Sequence, residues 1–261
     1  MWPTIGPIHT YGILYLLGVV LHFVLSWRLA RRAGLRRRVW IVTSLCYLLG
    51  MTLGAKVLFA LLSDQVSLGD LLRAETWLTG GLWGGLLAYF ALAIPAVLVL
   101  SRSRAAALDL VAATIPIPWI AAKLGCLCQG CCYGRPTSLP WGITFPEGGT
   151  APAGVPMHPT QLYEVALMLV ILVVFARLRS DWRRGTKLLW FLTIYGFGRA
   201  ALDFLRGDKE HYIVSGVLTL TQLICLAVSV AALFVLVSWF DSSKRRTKLD
   251  YGNRHGEQEH G

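Results

Sequence analysis

Seven stretches of the chain are apolar for long enough to suggest membrane crossings. They fall near residues 11–27, 40–62, 80–100, 106–125, 159–177, 188–204 and 213–239; a helical crossing needs about 20 such residues. The fourth is the least regular, because Pro116 and Pro118 interrupt it and Asp109 stands near its start. Proline inside a span is tolerated where neighbouring helices take up the freed carbonyls. The pattern predicts an all-α integral membrane protein of about seven transmembrane helices. The longest polar interval, 126–158, is rich in glycine and holds Pro136, Pro140, Pro146, Pro152 and Pro156. It predicts a small external head between the fourth and fifth helices. Residues 1–240 thus read as one transmembrane domain, and 241–261 as a basic cytoplasmic tail expected to be disordered. No internal repeat stands out.

Composition agrees with the pattern. Of 261 residues, 55% are hydrophobic and only 15% charged, against about 25% charged in an ordinary soluble domain. That balance excludes a simple soluble enzyme. The net charge of +11 would suggest a nucleic-acid partner on a soluble chain, so the position of each charge matters. The first apolar stretch follows ten uncharged residues and precedes Arg28, Arg31, Arg32, Arg36, Arg37 and Arg38. A secretory signal peptide has the reverse arrangement. An N-terminus outside the cell makes 28–38, 101–104, 177–187 and the region after 240 cytoplasmic, and these hold 18 of the 25 basic residues. Basic residues gather on the cytoplasmic side of membrane proteins, so the charge marks a multi-pass orientation with a cytoplasmic C-terminus. No nucleic acid is called for.

The remaining basic residues carry more information. Lys56, Lys123 and Arg199 lie within or at the ends of apolar stretches, where a charge costs about 2.5–3.5 kcal/mol. Around two of them the chain is dense in polar side chains. Tyr195, Arg199, Asp203 and Arg206 share one face of a continued helix, and Arg199 can pair with Asp203 one turn on. That pair either orients the helix or offers the planar guanidinium to a phosphate. Met157-His158-Pro159-Thr160-Gln161-Leu162-Tyr163-Glu164 opens the fifth span, with Pro159 suited to a first helical turn. Leu78-Thr79-Gly80-Gly81-Leu82-Trp83-Gly84-Gly85 opens the third span; its glycines permit close helix packing or close approach of a ligand. Lys123-Leu124-Gly125-Cys126-Leu127-Cys128-Gln129-Gly130-Cys131-Cys132-Tyr133-Gly134-Arg135 holds four of the six cysteines. Disulfides, zinc and thiol chemistry all remain open for it, although adjacent Cys131 and Cys132 are awkward for a tetrahedral metal, whose ligand pairs are usually separated by two to four residues.

Taken in chain order, these segments resemble the prolipoprotein diacylglyceryl transferase family. The resemblance rests on Tyr11-Gly12, Gly80-Gly81, the glycine-rich turn at 125–134, Trp141-Gly142 with Phe145-Pro146, His158 to Glu164, and Tyr195 to Arg199. It covers roughly residues 8–240. It implies a bacterial inner-membrane enzyme that takes phosphatidylglycerol from the lipid bilayer. Such an enzyme transfers the diacylglyceryl group to the lipobox cysteine thiol in the signal peptide of a prolipoprotein, forming a thioether and releasing glycerol phosphate. No metal and no other cofactor is implied.

By the same resemblance Arg199 is the phosphate-facing arginine, with Tyr195 and Tyr11 as polar partners. Lys123 stands where the family has a second essential arginine; the base is unassigned, with His158 the nearest candidate by chemistry and the substrate's own phosphate another. Gly134 is the signature glycine, and Gly80, Gly81, Arg135, Gln161, Tyr163, Glu164 and Asp203 complete the substrate-binding positions. Asp203 replaces the family's usual glutamate. Thr79 replaces a histidine, and Cys126, Gln129 and Cys131 replace two asparagines and a glutamate. A lysine at 123 keeps the charge and loses the bidentate fork. These departures leave two further readings open: a transferase of the same fold with another lipid or acceptor, and a non-catalytic lipid- or metal-binding membrane protein built round the cysteines.

Overall fold

The structure is a computed structural model and describes residues 4–5, 8–62, 82–148, 150–178, 185–207, 212–214 and 218–256. Gly80 and Gly81, with Thr79, lie outside these residues. A two-residue hairpin, β1 (Thr4–Ile5) and β2 (Ile8–His9), leads into helix α1 (Thr10–Arg32). There follow α2 (Arg37–Leu49), a π-helical stretch (Gly50–Gly54), α3 (Ala55–Leu62), α4 (Leu82–Leu100), α5 (Arg104–Ala113) and α6 (Pro116–Gln129). Strands β3 (Ile143–Thr144) and β4 (Pro156–Met157) pair antiparallel ahead of α7 (Thr160–Arg177) and α8 (Thr186–Asp203). A last hairpin, β5 (Tyr212–Val214) and β6 (Leu218–Thr219), precedes α9 (Leu220–Gly256).

Five described helical segments are long and apolar enough to cross a membrane: Thr10–Arg32, Arg37–Val57, Arg104–Gln129, Thr160–Arg177 and Leu220–Phe240. The third expected span is the shorter apolar helix Gly84–Leu100. The sixth is α8, whose 18 residues include Lys187, Arg199 and Asp203. The all-α membrane fold stands. Three details differ from the expected pattern. The fourth span is two helices, because Pro116, which has no N–H to give the preceding turn, begins α6 at the position where that lack costs nothing. Helix α6 continues through Cys126 and Cys128 to Gln129, so the head begins later than 126. Helix α9 runs on to Gly256, past the end of the seventh expected span.

The chain divides into two compact units. One comprises Ile13–Ala122 and Phe175–Leu188. Its interior is packed through small residues. A Cβ on Gly50 would stand 2.5 Å from the Tyr89 amide nitrogen, and one on Gly85 would stand 3.0 Å from the Met51 Cα. The buried His22 ring stacks on Tyr47 at 3.6 Å and faces the Thr114 carbonyl through Nδ1 at 3.2 Å. Buried Asp109, the acid that made the fourth span look weak, accepts the Lys187 amide N–H at 2.8 Å.

The other unit comprises Met1–Gly12, Lys123–Val174 and Leu189–Gly261, and carries the head. Phe145, Ala151 and Met157 form the head's small core, with Leu127, Tyr133 and Ile143 packed against it. Helix α9 starts in a reciprocal cap: the Thr219 N–H donates to Gln222 Oε1 at 2.9 Å and the Gln222 N–H donates to Thr219 Oγ1 at 3.1 Å. This arrangement satisfies two donors that a helix start otherwise leaves open.

Candidate active site

Buried charge concentrates where α6, α7 and the end of α8 converge in the second unit. Lys123 projects from α6, and its Nζ lies 2.8 Å from Oε1 of Glu164 on α7. Arg206 Nη1 approaches the same carboxylate oxygen at 3.8 Å. Lys123 is 3% exposed and Glu164 is 2% exposed, so water does little to screen them. Ions removed from water persist only in such company. One turn apart on α8, Arg199 Nη1 meets Asp203 Oδ1 at 3.1 Å. The other Asp203 oxygen accepts the Thr219 hydroxyl at 2.7 Å. Asp203 is therefore gripped from both sides, and Arg199 also acts electrostatically on Glu164. Three cations face two carboxylates.

Expected and observed geometry part at Arg206. Continued helix would have placed it on the Tyr195–Arg199–Asp203 face. Helix α8 ends at Asp203, and the Arg206 N–H bonds back to the Asp203 carbonyl. The turn carries Arg206 to Glu164 instead. Its partner is distant in sequence, so spacing gave no sign of it. Thr219 and Gln222 were likewise not picked out, although Thr219-Leu220-Thr221-Gln222 ahead of an apolar run has the spacing of a capping box. Thr219→Val is expected to remove a hydrogen bond to a charged group, costing about 1.5–3 kcal/mol. Thr219→Ser should restore it. Thermal unfolding of the two variants in detergent checks this.

The cysteines stand beside the ions. Cys126, Cys131 and Cys132 bring their sulfur atoms within 4.8 Å of one another, and all three are free thiols. The Gln161 side chain donates Nε2–H to the Cys131 carbonyl at 2.7 Å, and the Thr160 hydroxyl donates to the Cys132 carbonyl at 2.6 Å. Hydrogen bonds from the Cys126 and Cys131 thiols hold the Cys132 thiol well below its ordinary range, and the positive charges of Lys123 and Arg206 assist. For Cys131, hydrogen bonding with Cys126 pulls the thiol down; hydrogen bonding with Cys132 and burial outweigh it, pushing the thiol up to about 12. Gln161 Oε1 is buried without a hydrogen-bond partner among the described residues.

The signature glycine is a junction. The Gly134 N–H donates to the His158 carbonyl at 2.9 Å, and the Arg135 N–H donates to the Leu205 carbonyl at 2.7 Å. A Cβ on Gly134 would lie 2.9 Å from the Leu205 oxygen and run into the His158 backbone. His158, the candidate base, turns Nδ1 toward the Tyr163 hydroxyl at 3.2 Å, which also accepts the Trp141 indole N–H at 2.8 Å. His158 and Tyr163 therefore form a trio with Trp141 in the half-exposed part of the head. Arg135 is exposed. Tyr195 is buried and stacked on Phe191 at 5.4 Å. The Tyr11 ring occupies the space that Gly125 leaves, since a Cβ there would stand 2.9 Å from it. Gly196 and Gly198 admit α9 and α7: added Cβ atoms would strike Ser229 and stand 2.6 Å from Leu167.

The family described as prolipoprotein diacylglyceryl transferase matches residues 3–238. A phosphatidylglycerol–prolipoprotein diacylglyceryl transferase of Nitratidesulfovibrio vulgaris is 32% identical over 248 residues, covering 89% of this chain and 91% of that protein. The protein of the same name from Pseudomonas putida is 31% identical over 255 residues, covering 94% of each. That from Clostridium tetani is 27% identical over 238 residues, covering 87% of this chain and 92% of its own length.

Proposed function

The chain belongs to the prolipoprotein diacylglyceryl transferase family, and on that premise we propose that it transfers the diacylglyceryl group of phosphatidylglycerol to a prolipoprotein. The acceptor atom is the lipobox cysteine sulfur in the signal peptide. The enzyme works in the bacterial inner membrane, multi-pass, with its N-terminus outside and its C-terminus in the cytoplasm. Positive charge concentrated in 28–38 and 177–187 supports that orientation.

The observation that carries this reading is the set of buried Lys123 and Arg199 with part-buried Arg206 around Glu164 and Asp203. The acceptor sulfur attacks the glyceryl carbon, a C–S bond forms, and the C–O bond to phosphate breaks. The electron pair stays with the phosphate oxygen, and the acceptor's proton leaves on the released glycerol phosphate. Negative charge therefore grows on phosphate during the step, and fixed cations in a dry site stabilise that change. Arg199 supplies a planar fork for phosphate oxygens; Lys123 supplies a point charge. The open acceptor Gln161 Oε1 suits a hydroxyl of the glycerol headgroup. Tyr11, Tyr195, Tyr163 and Arg135 contribute to the lipid approach, and Gly134 is the junction that holds the head in place. His158 serves the entering peptide at the head.

Purified chain incubated with phosphatidylglycerol and a lipobox peptide is expected to give a thioether peptide by mass spectrometry, with glycerol phosphate released. No product beside an active relative would remove the proposal. Product from another lipid alone would assign a different donor.

A further inference from the structure

Cys126, Cys131 and Cys132 have no task in the chemistry just described, yet they are the most deliberately positioned side chains in the head. Cys126 comes from the last turns of α6, and the Cys131 N–H bonds back to the Cys126 carbonyl at 3.1 Å. Cys132 is the one non-glycine residue among the described residues with positive φ, at 58°. An L-residue pays about 1–2 kcal/mol for that conformation, and strain of this kind persists where surrounding structure enforces it. Here Thr160 and Gln161 enforce it by holding the carbonyls of both cysteines. The adjacent pair, awkward by spacing, converges on Cys126 with all three sulfurs within 4.8 Å of one another.

We propose that Cys126, Cys131 and Cys132 form a three-thiolate zinc site whose fourth position takes the acceptor cysteine sulfur. Zinc favours four tetrahedral ligands, and three protein ligands with one open position mark a site that binds a reactant. Thiolates select such a soft ion over magnesium or calcium. Sulfurs at about 2.3 Å from a tetrahedral zinc lie about 3.8 Å apart, so the cluster need close by only about 1 Å. The two zinc charges leave the three-thiolate site at one negative charge, which the neighbouring Lys123 and Arg206 offset. Cys128, outside this cluster, is no ligand.

The site deepens the transfer reading and rests on it for the identity of the acceptor. A thiol that coordinates zinc loses its proton, and the zinc-held sulfur keeps a lone pair for attack on carbon. The C–S bond forms as the C–O bond breaks. The displaced proton passes to the departing glycerol phosphate, and the new thioether, a weaker ligand, leaves the metal. Glu164 is already engaged by Lys123 and Arg206, and the metal makes a separate base unnecessary.

The test uses the full chain in detergent, purified without chelator. Elemental analysis should find stoichiometric zinc, retained in Cys128→Ser and lost in Cys131→Ser. So that misfolding of Cys131→Ser does not decide the matter, parent protein is also stripped and titrated with cobalt(II). It should give the intense visible bands of tetrahedral cobalt and a sulfur charge-transfer band. Adding a lipobox peptide should shift these bands, and a peptide with serine in place of its cysteine should not. Failure of the parent to take up either metal overturns the site; uptake with no response to the cysteine peptide overturns its acceptor role. Thioether formed at an unchanged rate by stripped protein overturns the site while the transferase reading stands. A responsive cobalt site with no thioether from any lipid would retain the site and remove the transferase reading. For the site, stripping is expected to slow transfer by about 10–100-fold, the scale on which weakened metal sites lose activity.

Discussion

Arg199→Ala is expected to lower the rate of thioether formation by about 10²–10³-fold, the cost of removing one donor aimed at developing negative charge. Arg199 is 5% exposed, so the field it exerts on a phosphate is poorly screened. The variant should still fold. Asp203, left without its ion pair, retains the Thr219 hydroxyl at 2.7 Å. Arg199→Lys separates charge from shape: it keeps the cation and loses two parallel N–H donors. Its rate is expected to fall between those of parent and alanine variant. Initial rates at matched amounts of folded protein decide the matter, and an alanine variant as fast as the parent would remove Arg199 from the phosphate site.

Glu164→Ala is expected to destabilise the protein by about 3–5 kcal/mol, because it removes the carboxylate that lies 2.8 Å from buried Lys123 and 3.8 Å from Arg206, and breaking a buried pair is costly. The same reasoning gives a rescue. Lys123→Met added to Glu164→Ala removes the ion that suffers most, and an apolar replacement for a buried pair is often neutral. Stability should largely return while transfer does not, since the lysine charge has gone. Unfolding midpoints of the single and double variants in one detergent check the first half, and thioether yield checks the second. A double variant no more stable than Glu164→Ala would show that the carboxylate holds the site by some means other than charge.

Local features were legible along the chain; convergent ones were not. Apolar runs marked the helices, and Arg199 with Asp203 could be paired from their spacing alone. Pro116 and Pro118 marked a disturbance in the fourth span, though not that Pro116 opens a new helix. The π-helical stretch at Gly50–Gly54 had no sequence signature, because it is set by the close approach of Tyr89 and its neighbours. Arg206 was visible as an unexplained cation, but its partner depended on where α8 stops. Lys123 and Glu164 were each singled out, and only tertiary structure could join them. The cysteines illustrate the limit best. Spacing argued against a common ligand set, whereas a single residue in left-handed backbone reverses that geometry.

Two main-chain hydrogen bonds tie the head to the turn after α8, Arg135 to Leu205 and Gly207 to Tyr133, and two more, Gly134 to His158 and His158 to Arg135, close the head on itself. A clasp closed by peptide groups is indifferent to most of the side chains that hang from it. The exposed side chains of Glu147, Pro152 and Val155 can therefore drift over evolutionary time without loosening that anchorage, whereas Ala151 belongs to the head's core. Such freedom would let related enzymes vary the surface met by incoming precursors while inheriting the same anchor, with glycine at 134 as the fixed requirement.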